Sequence, residues 1–166
     1  MSTKGDLYDQ DLYAWVQEQA TLLRTGTLHE LDLEHLIEEI EGVGHSQQDA
    51  MASHLLILLT HLLKLTIAAE RLPPDLERAG RGWRTTCRTQ RRLLAKRLRR
   101  NPSLRPTVPE ECAEAYEIAR DEAATALGVD ETSVPLTCPW TPEQVLDQDF
   151  WPEGTGEGER KGFNAD

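Results

Sequence analysis

No stretch of this 166-residue sequence approaches the ~20 uninterrupted apolar residues that a bilayer span requires. The most apolar window, Leu55 to Leu65, is interrupted by Thr60, His61 and Lys64, so it reads as a buried core helix. Cysteine is equally sparse. Cys87, Cys112 and Cys138 are odd in number, widely spaced and without a C-x-x-C pair, which indicates neither a disulfide framework nor a zinc site. Reduced thiols buried as small hydrophobes are the expectation. The opening Met1-Ser2-Thr3-Lys4-Gly5-Asp6 lacks the apolar core of a signal peptide, so the expected location is the cytoplasm. There is no G-x-S-x-G, no phosphate-cradling glycine loop, no cysteine recognisably paired with histidine and no internal repeat. Hence no catalytic residue and no cofactor is indicated.

What is present is charge, unevenly distributed. Residues 71 to 105 hold twelve of the eighteen Lys and Arg and, as acids, Asp75 and Glu77 alone, for a net +10. The other 131 residues carry six basic and twenty-seven acidic side chains, net −21, giving the total of −11. A cationic surface of this kind needs an anionic counterpart within the fold, in another copy, or in a ligand. Hydrophobic residues make up 39 % and mean hydropathy is −0.54, a polar excess within a length suited to one domain.

The periodicities predict an all-α bundle of four main helices with shorter ones, a single domain over 1–152, and a disordered Gly- and Glu-rich tail over 153–166. The first helix is expected from about Asp9, its N-cap, to Arg24, stopped by Gly26, and buries Tyr8, Leu12, Trp15, Val16, Gln19 and Leu23. A second, from Asp32 to Glu41, turns Leu33, Leu36, Ile37 and Ile40 inward and lines Glu34, Glu38 and Glu41 along another face. Gly42 and Gly44 then weaken or bend the chain. A third helix runs from Ser46 to about Ala69, unless the two form one long kinked helix. It is apolar around most of its girth and so belongs at the centre of the bundle.

After a Pro73-Pro74 loop comes the basic helix, Gly80 to Arg100. Trp83, Cys87, Gln90, Leu94 and Leu98 share one face, and Arg81, Arg84, Arg88, Arg91, Arg92 and Arg99 lie roughly opposite. Gln90, inside the apolar stripe, and Arg97, on its border, need buried polar partners. A fifth helix starts at Pro109 and ends before Gly128, with Cys112, Ala115, Tyr116, Ala119, Ala123 and Leu127 inward. Thr141-Pro142-Glu143-Gln144 is a capping box that opens a short helix to about Gln148. Phe150, Trp151 and Pro152 are expected to pin that end to the bundle.

Five motifs in order across residues 8 to 152 resemble a bacterial family catalogued as a domain of unknown function, number twenty-nine in its series. They are Tyr8-Asp9-Gln10-Asp11-Leu12-Tyr13-Ala14-Trp15, the run Leu31 to Glu41, His61-Leu62-Leu63-Lys64, Asn101-Pro102-Ser103-Leu104, and Cys138-Pro139-Trp140-Thr141 continuing through Leu146 to Pro152. The family usually has tryptophan after the third motif, where this chain has Leu65. The resemblance implies an all-α bacterial cytoplasmic domain and supplies no catalytic residue, cofactor or partner.

Three functional readings are ordered by chemistry. First is a non-catalytic interaction or regulatory module, with a protein partner or a second copy selected through charged helix faces. Glu34, Glu38 and Glu41 are then a natural counterpart for Arg84, Arg88 and Arg91 if their helices are neighbours, and such pairing sets partner choice more than stability. Second is nucleic-acid binding through the arginine face, which the total charge of −11 and the inward Trp83 oppose. Last is a metal-dependent enzyme. Asp32-x-x-His35 is the nearest approach to a Glu-x-x-His pair and occurs once, and His54 and His61 stand two turns, roughly 10 Å, apart. His35 and Glu39 have usable spacing but need further ligands. No metal site and no membrane partner is assigned.

Overall fold

A computed structural model describes residues 4–71 and 77–152, and the regular structure among them is entirely helical. The order is α1 (Lys4–Gln10), α2 (Leu12–Thr25), α3 (Leu33–Arg71), α4 (Glu77–Arg100), α5 (Val108–Leu127) and α6 (Pro142–Leu146), with single 3-10 turns at Leu28–Glu30, Pro102–Thr107 and Glu131–Ser133. The all-α expectation therefore holds, with α2 to α5 as the four long helices. The Pro73-Pro74 loop and the 153–166 tail lie outside the described residues. The second and third predicted helices are one: α3 passes through Gly42 and Gly44 without a break. The chain divides into two compact units, Met1–Gln47 and Gln48–Asp166.

In the N-terminal unit the first predicted helix is split. Asp11, not Asp9, caps α2: its carboxylate accepts the Ala14 N–H at 3.0 Å, and its backbone sits at φ −151° outside the helical region. Gly26 closes α2 at φ +72°, a left-handed conformation that strains any residue with a Cβ. Of the six residues expected inside on α1 and α2, Trp15 and Gln19 are fully buried and Tyr8 half-buried, whereas Leu12, Val16 and Leu23 are exposed. The expectation for α3 is corrected likewise. Leu33, Ile37 and Ile40 are exposed and Leu36 is half-buried, because the face of α3 turned toward α1 and α2 is its polar one: Asp32, His35 and Glu39. Hydrogen-bond partners, rather than hydrophobicity, decide which side turns in.

The C-terminal unit has the apolar core. Met51, Leu55, Leu58, Leu59, Leu62, Leu63, Leu65 and Ile67 of α3 are all buried, surrounded by Cys87, Leu94 and Leu98 of α4 and by Cys112, Ala115, Tyr116, Ala119 and Ala123 of α5. Each fully buried Leu contributes about 1.5–3 kcal/mol, so this part of α3 organises the unit as its girth of apolar residues predicts. Leu65 is part of that core. Over Leu33–Ala69, α3 is long and apolar enough by length and composition to cross a membrane, and half of its most apolar window is buried inside the protein.

Small residues on α5 permit close packing, and Gly128 ends that helix at φ +65°. Tyr116 donates to the Pro135 carbonyl at 2.9 Å, and Arg120 pairs with Glu131 at 3.1 Å, fastening the irregular segment after α5. The capping box at α6 is complete. Thr141 Oγ1 accepts the Gln144 N–H at 3.3 Å and Gln144 Oε1 accepts the Thr141 N–H at 2.9 Å. The helix ends at Leu146 because Asp147 turns to extended backbone, two residues short of the predicted end.

Candidate functional site

The apolar side of α4 docks on the core as its periodicity dictates: Cys87, Leu94 and Leu98 are buried and Trp83 is half-buried against them. Gln90, the polar interruption of that stripe, has its partner in His54, whose Nδ1 lies 2.7 Å from Gln90 Oε1. On the opposite side Arg81, Arg92 and Arg99 are exposed and fall within about 20° of one direction at 100° per residue. Lys96, Arg100 and Arg105 extend this cationic surface. None of these six cations is ion-paired to a described carboxylate. Arg84 and Arg88 are half-buried, and Arg88 places its Cζ 5.4 Å from the centre of the Trp151 ring.

Arg91 departs from this face altogether and is fully buried. Its Nε donates to the Val145 carbonyl at 2.9 Å, and its Cζ lies 5.1 Å from the Trp151 ring centre. Among the described residues Nη1 and Nη2 are buried without a hydrogen-bond partner. Burial pushes the guanidinium pKa down, opposed by Cys87, Asp147 and Asp149. The angular reading of α4 alone puts Arg91 only about 60° from the apolar direction. What tips it inward is α6 and Trp151, which cover that flank. The sequence signal for this was the Leu146 to Pro152 motif, whose aromatic end was expected to dock without its target being identifiable.

Between α4, α6 and the turn after α4 lies a cleft of about 260 Å³, lined by Arg91, Ala95, Leu98, Arg99, Arg105 and Leu146. A second cleft of about 250 Å³ shares Leu98, Arg105 and Leu146 and reaches Val108, Pro109, Pro142 and Glu143. Arginine and leucine thus line the same depression. It can hold an anionic group against an apolar wall.

The acidic stripe Glu34, Glu38 and Glu41 is exposed and belongs to the N-terminal unit, whereas the arginine face belongs to the C-terminal unit. Beside that stripe the N-terminal unit contains a polar cluster that periodicity did not reveal. Asp32 Oδ2 accepts the Trp15 indole N–H at 3.2 Å and lies 2.7 Å from His35 Nδ1, while the Asp32 N–H donates to Gln19 Oε1 at 2.9 Å. Tyr8 stacks on the His35 ring with centroids 4.0 Å apart and donates its hydroxyl to Glu39 Oε1 at 2.8 Å. The hydrogen bond to Asp32 raises the His35 pKa. Burial pushes the Asp32 carboxyl up, but hydrogen bonds from His35 and Trp15 outweigh it and the net shift is downward. The Glu39 hydrogen bond pushes Tyr8 up to about 12. His35 and Glu39, the pair with ligand-like spacing, are thus joined to different partners. Among the described residues, no three of His, Cys, Asp and Glu converge as a metal site would need. His61 is bonded through Nδ1 to the Ile57 carbonyl.

Apart from Gln19, every member of this cluster lies in the first two sequence motifs, and Trp151 over Arg91 lies in the last. The motifs therefore mark the side-chain ties of the fold. No curated protein and no solved structure matches the chain. A family model does, over residues 7–151, nearly the span of the motifs, and the chain accordingly belongs to the family described as domain of unknown function DUF29.

Proposed function

We propose that this protein is a non-catalytic interaction module with a regulatory role, in which the cationic face of α4 selects an acidic protein partner. The observation that carries this reading is the mixed lining of the cleft beside that face. Arg99 and Arg105 offer planar donors for carboxylates, and Ala95, Leu98 and Leu146 offer an apolar wall. An acidic amphipathic peptide uses both. A phosphate backbone uses the arginines alone.

Nucleic-acid binding is the second reading, favoured by the alignment of Arg81, Arg92 and Arg99 along about 27 Å of helix at 1.5 Å per residue. Fluorescence anisotropy separates the two, with a labelled peptide alternating Glu and Leu and a labelled 20-base-pair duplex titrated at low salt. The module reading expects saturable peptide binding, lost in the triple variant Arg81→Glu/Arg92→Glu/Arg99→Glu, with the duplex bound more weakly. Tighter duplex binding, with a steep inverse dependence on salt, overturns it in favour of the nucleic acid.

A further inference from the structure

The N-terminal unit leaves nine large apolar side chains 42 to 76 % exposed, while its fully buried described residues are Trp15, Gln19 and Asp32. A 47-residue unit is near the size at which a chain needs outside help to bury enough surface, and this one has turned its polar face inward. We propose that the uncharged side of the α2–α3 hairpin is a two-fold interface with a second copy of this chain. The inference uses no part of the arginine face and stands apart from the reading above.

Helix geometry places the apolar stripes together. Trp15 and Gln19 of α2 meet Asp32 and His35, and Tyr8, earlier in the chain, reaches Glu39, later in α3, so the two helices of the hairpin run antiparallel. At about 100° per residue, Leu12, Val16 and Leu23 lie roughly 60° clockwise of the α2 packing direction, viewed from its N-terminus. Leu33, Ile37 and Ile40 lie roughly 130° clockwise of the α3 packing direction, viewed from its own N-terminus. Seen from one end, antiparallel helices turn in opposite senses, so both stripes fall on the same side of the pair. Half-buried Leu36 lies between them.

Charge then selects the occupant. The unit carries ten acidic and two basic side chains, net −8, yet no exposed charged residue falls within the apolar sector of either helix. Glu34, Glu38 and Glu41 project from α3 on the other side of the pair by the same angular count. A basic partner would seek those glutamates and leave the apolar side open. A second copy meets an apolar face with an identical one and keeps the acidic stripes apart, which is the self-complementarity a two-fold contact demands. A stable interface takes about 800 Å² from each partner. The six stripe side chains, exposed over 42 to 70 % of their surface, supply a large part of that area, in a contiguous apolar patch of the kind that marks an interaction site.

Sedimentation equilibrium of the full chain tests this, at concentrations from about 1 to 100 μM. Wild type is expected at twice the protomer mass. Ile37→Glu/Ile40→Glu and, separately, Val16→Glu are expected to weaken the dimer at least about a hundredfold, since each places charge in the buried interface. All three positions are exposed in the protomer, so helix content by circular dichroism should not change. The control Glu34→Lys/Glu38→Lys should dimerise as tightly as wild type. A monomeric wild type overturns the proposal, as does a dimer indifferent to the Ile37/Ile40 variant. Dissociation by the α3 variant but not by Val16→Glu refutes the shared side. Loss of peptide binding by the arginine variant leaves all these outcomes unchanged, so the two readings fail separately.

Discussion

Replacing Arg91 with methionine is expected to leave the protein as stable as wild type or more stable by up to about 2 kcal/mol, although it deletes a buried, hydrogen-bonded arginine. The losses are the Nε–H bond to the Val145 carbonyl, about 1.5–3 kcal/mol for a charged donor, and the cation–π contact with Trp151, about 2 kcal/mol when desolvated. Against them stand two buried amino groups without partners, about 1–3 kcal/mol each and more for charged ones. The cost of holding a charge out of water adds several kcal/mol. Methionine keeps an unbranched stem against Trp151 and adds a sulfur–aromatic contact of about 0.3–1.5 kcal/mol. Arg91→Ala loses the same bond and relieves the same desolvation, but leaves a cavity, so it should be about 2–4 kcal/mol less stable than the methionine variant. Urea unfolding of the three proteins measures this, with the slopes checked for constancy. A methionine variant more than about 2 kcal/mol less stable than wild type would show the guanidinium to be a net stabiliser and refute the reasoning.

The Asp32–His35 pair predicts a pH window for the N-terminal unit. His35 is raised, so its contribution is complete below the unfolded value near 6.5 and is lost as pH rises through the folded value; Asp32 is lowered, so its contribution is complete above about 3.9 and is lost as pH falls through its folded value. Thermal melts should therefore show greatest stability between about pH 4 and 6.5, and His35→Gln should flatten the decline above 6.5. The same slope in both proteins would contradict the assignment. Burial pushes the Cys87 and Cys112 thiols up to about 12 and raises Cys138, so the native protein at pH 8 should react slowly with a thiol reagent and the urea-unfolded chain should titrate three thiols rapidly. Rapid labelling of Cys87 in the native protein would mean that α4 opens locally.

The C-terminal unit was largely legible in the sequence. Met51 to Ile67 repeat apolar residues around most of the helix, so burial depended little on knowing the neighbours. Thr141-Pro142-Glu143-Gln144 and Gly128 act through their own backbone within four residues, so α6 and the end of α5 were readable too. The family membership likewise rests on local motifs. The N-terminal unit was legible as helices but not in orientation. Leu33, Ile37 and Ile40 satisfy every criterion of an inward stripe, yet Asp32, His35 and Glu39 take the inner side because Trp15, Gln19 and Tyr8 supply their hydrogen bonds from 13 to 31 residues away.

Sequence by itself determined the all-α class, the glycine stops of α2 and α5, the capping box of α6, the core face of α3 beyond Gln48 and the segregation of charge, all properties set within a few turns of chain. Only the tertiary structure decided which arginine leaves the cationic face and which face of the first half of α3 remains in water. Arg91 lies at the border of its stripe, and residues 145 and 151, more than fifty positions on, cover that border. An amphipathic helix states which faces differ. Its neighbours determine which face is inside, because burial is a property of the contact and not of the helix.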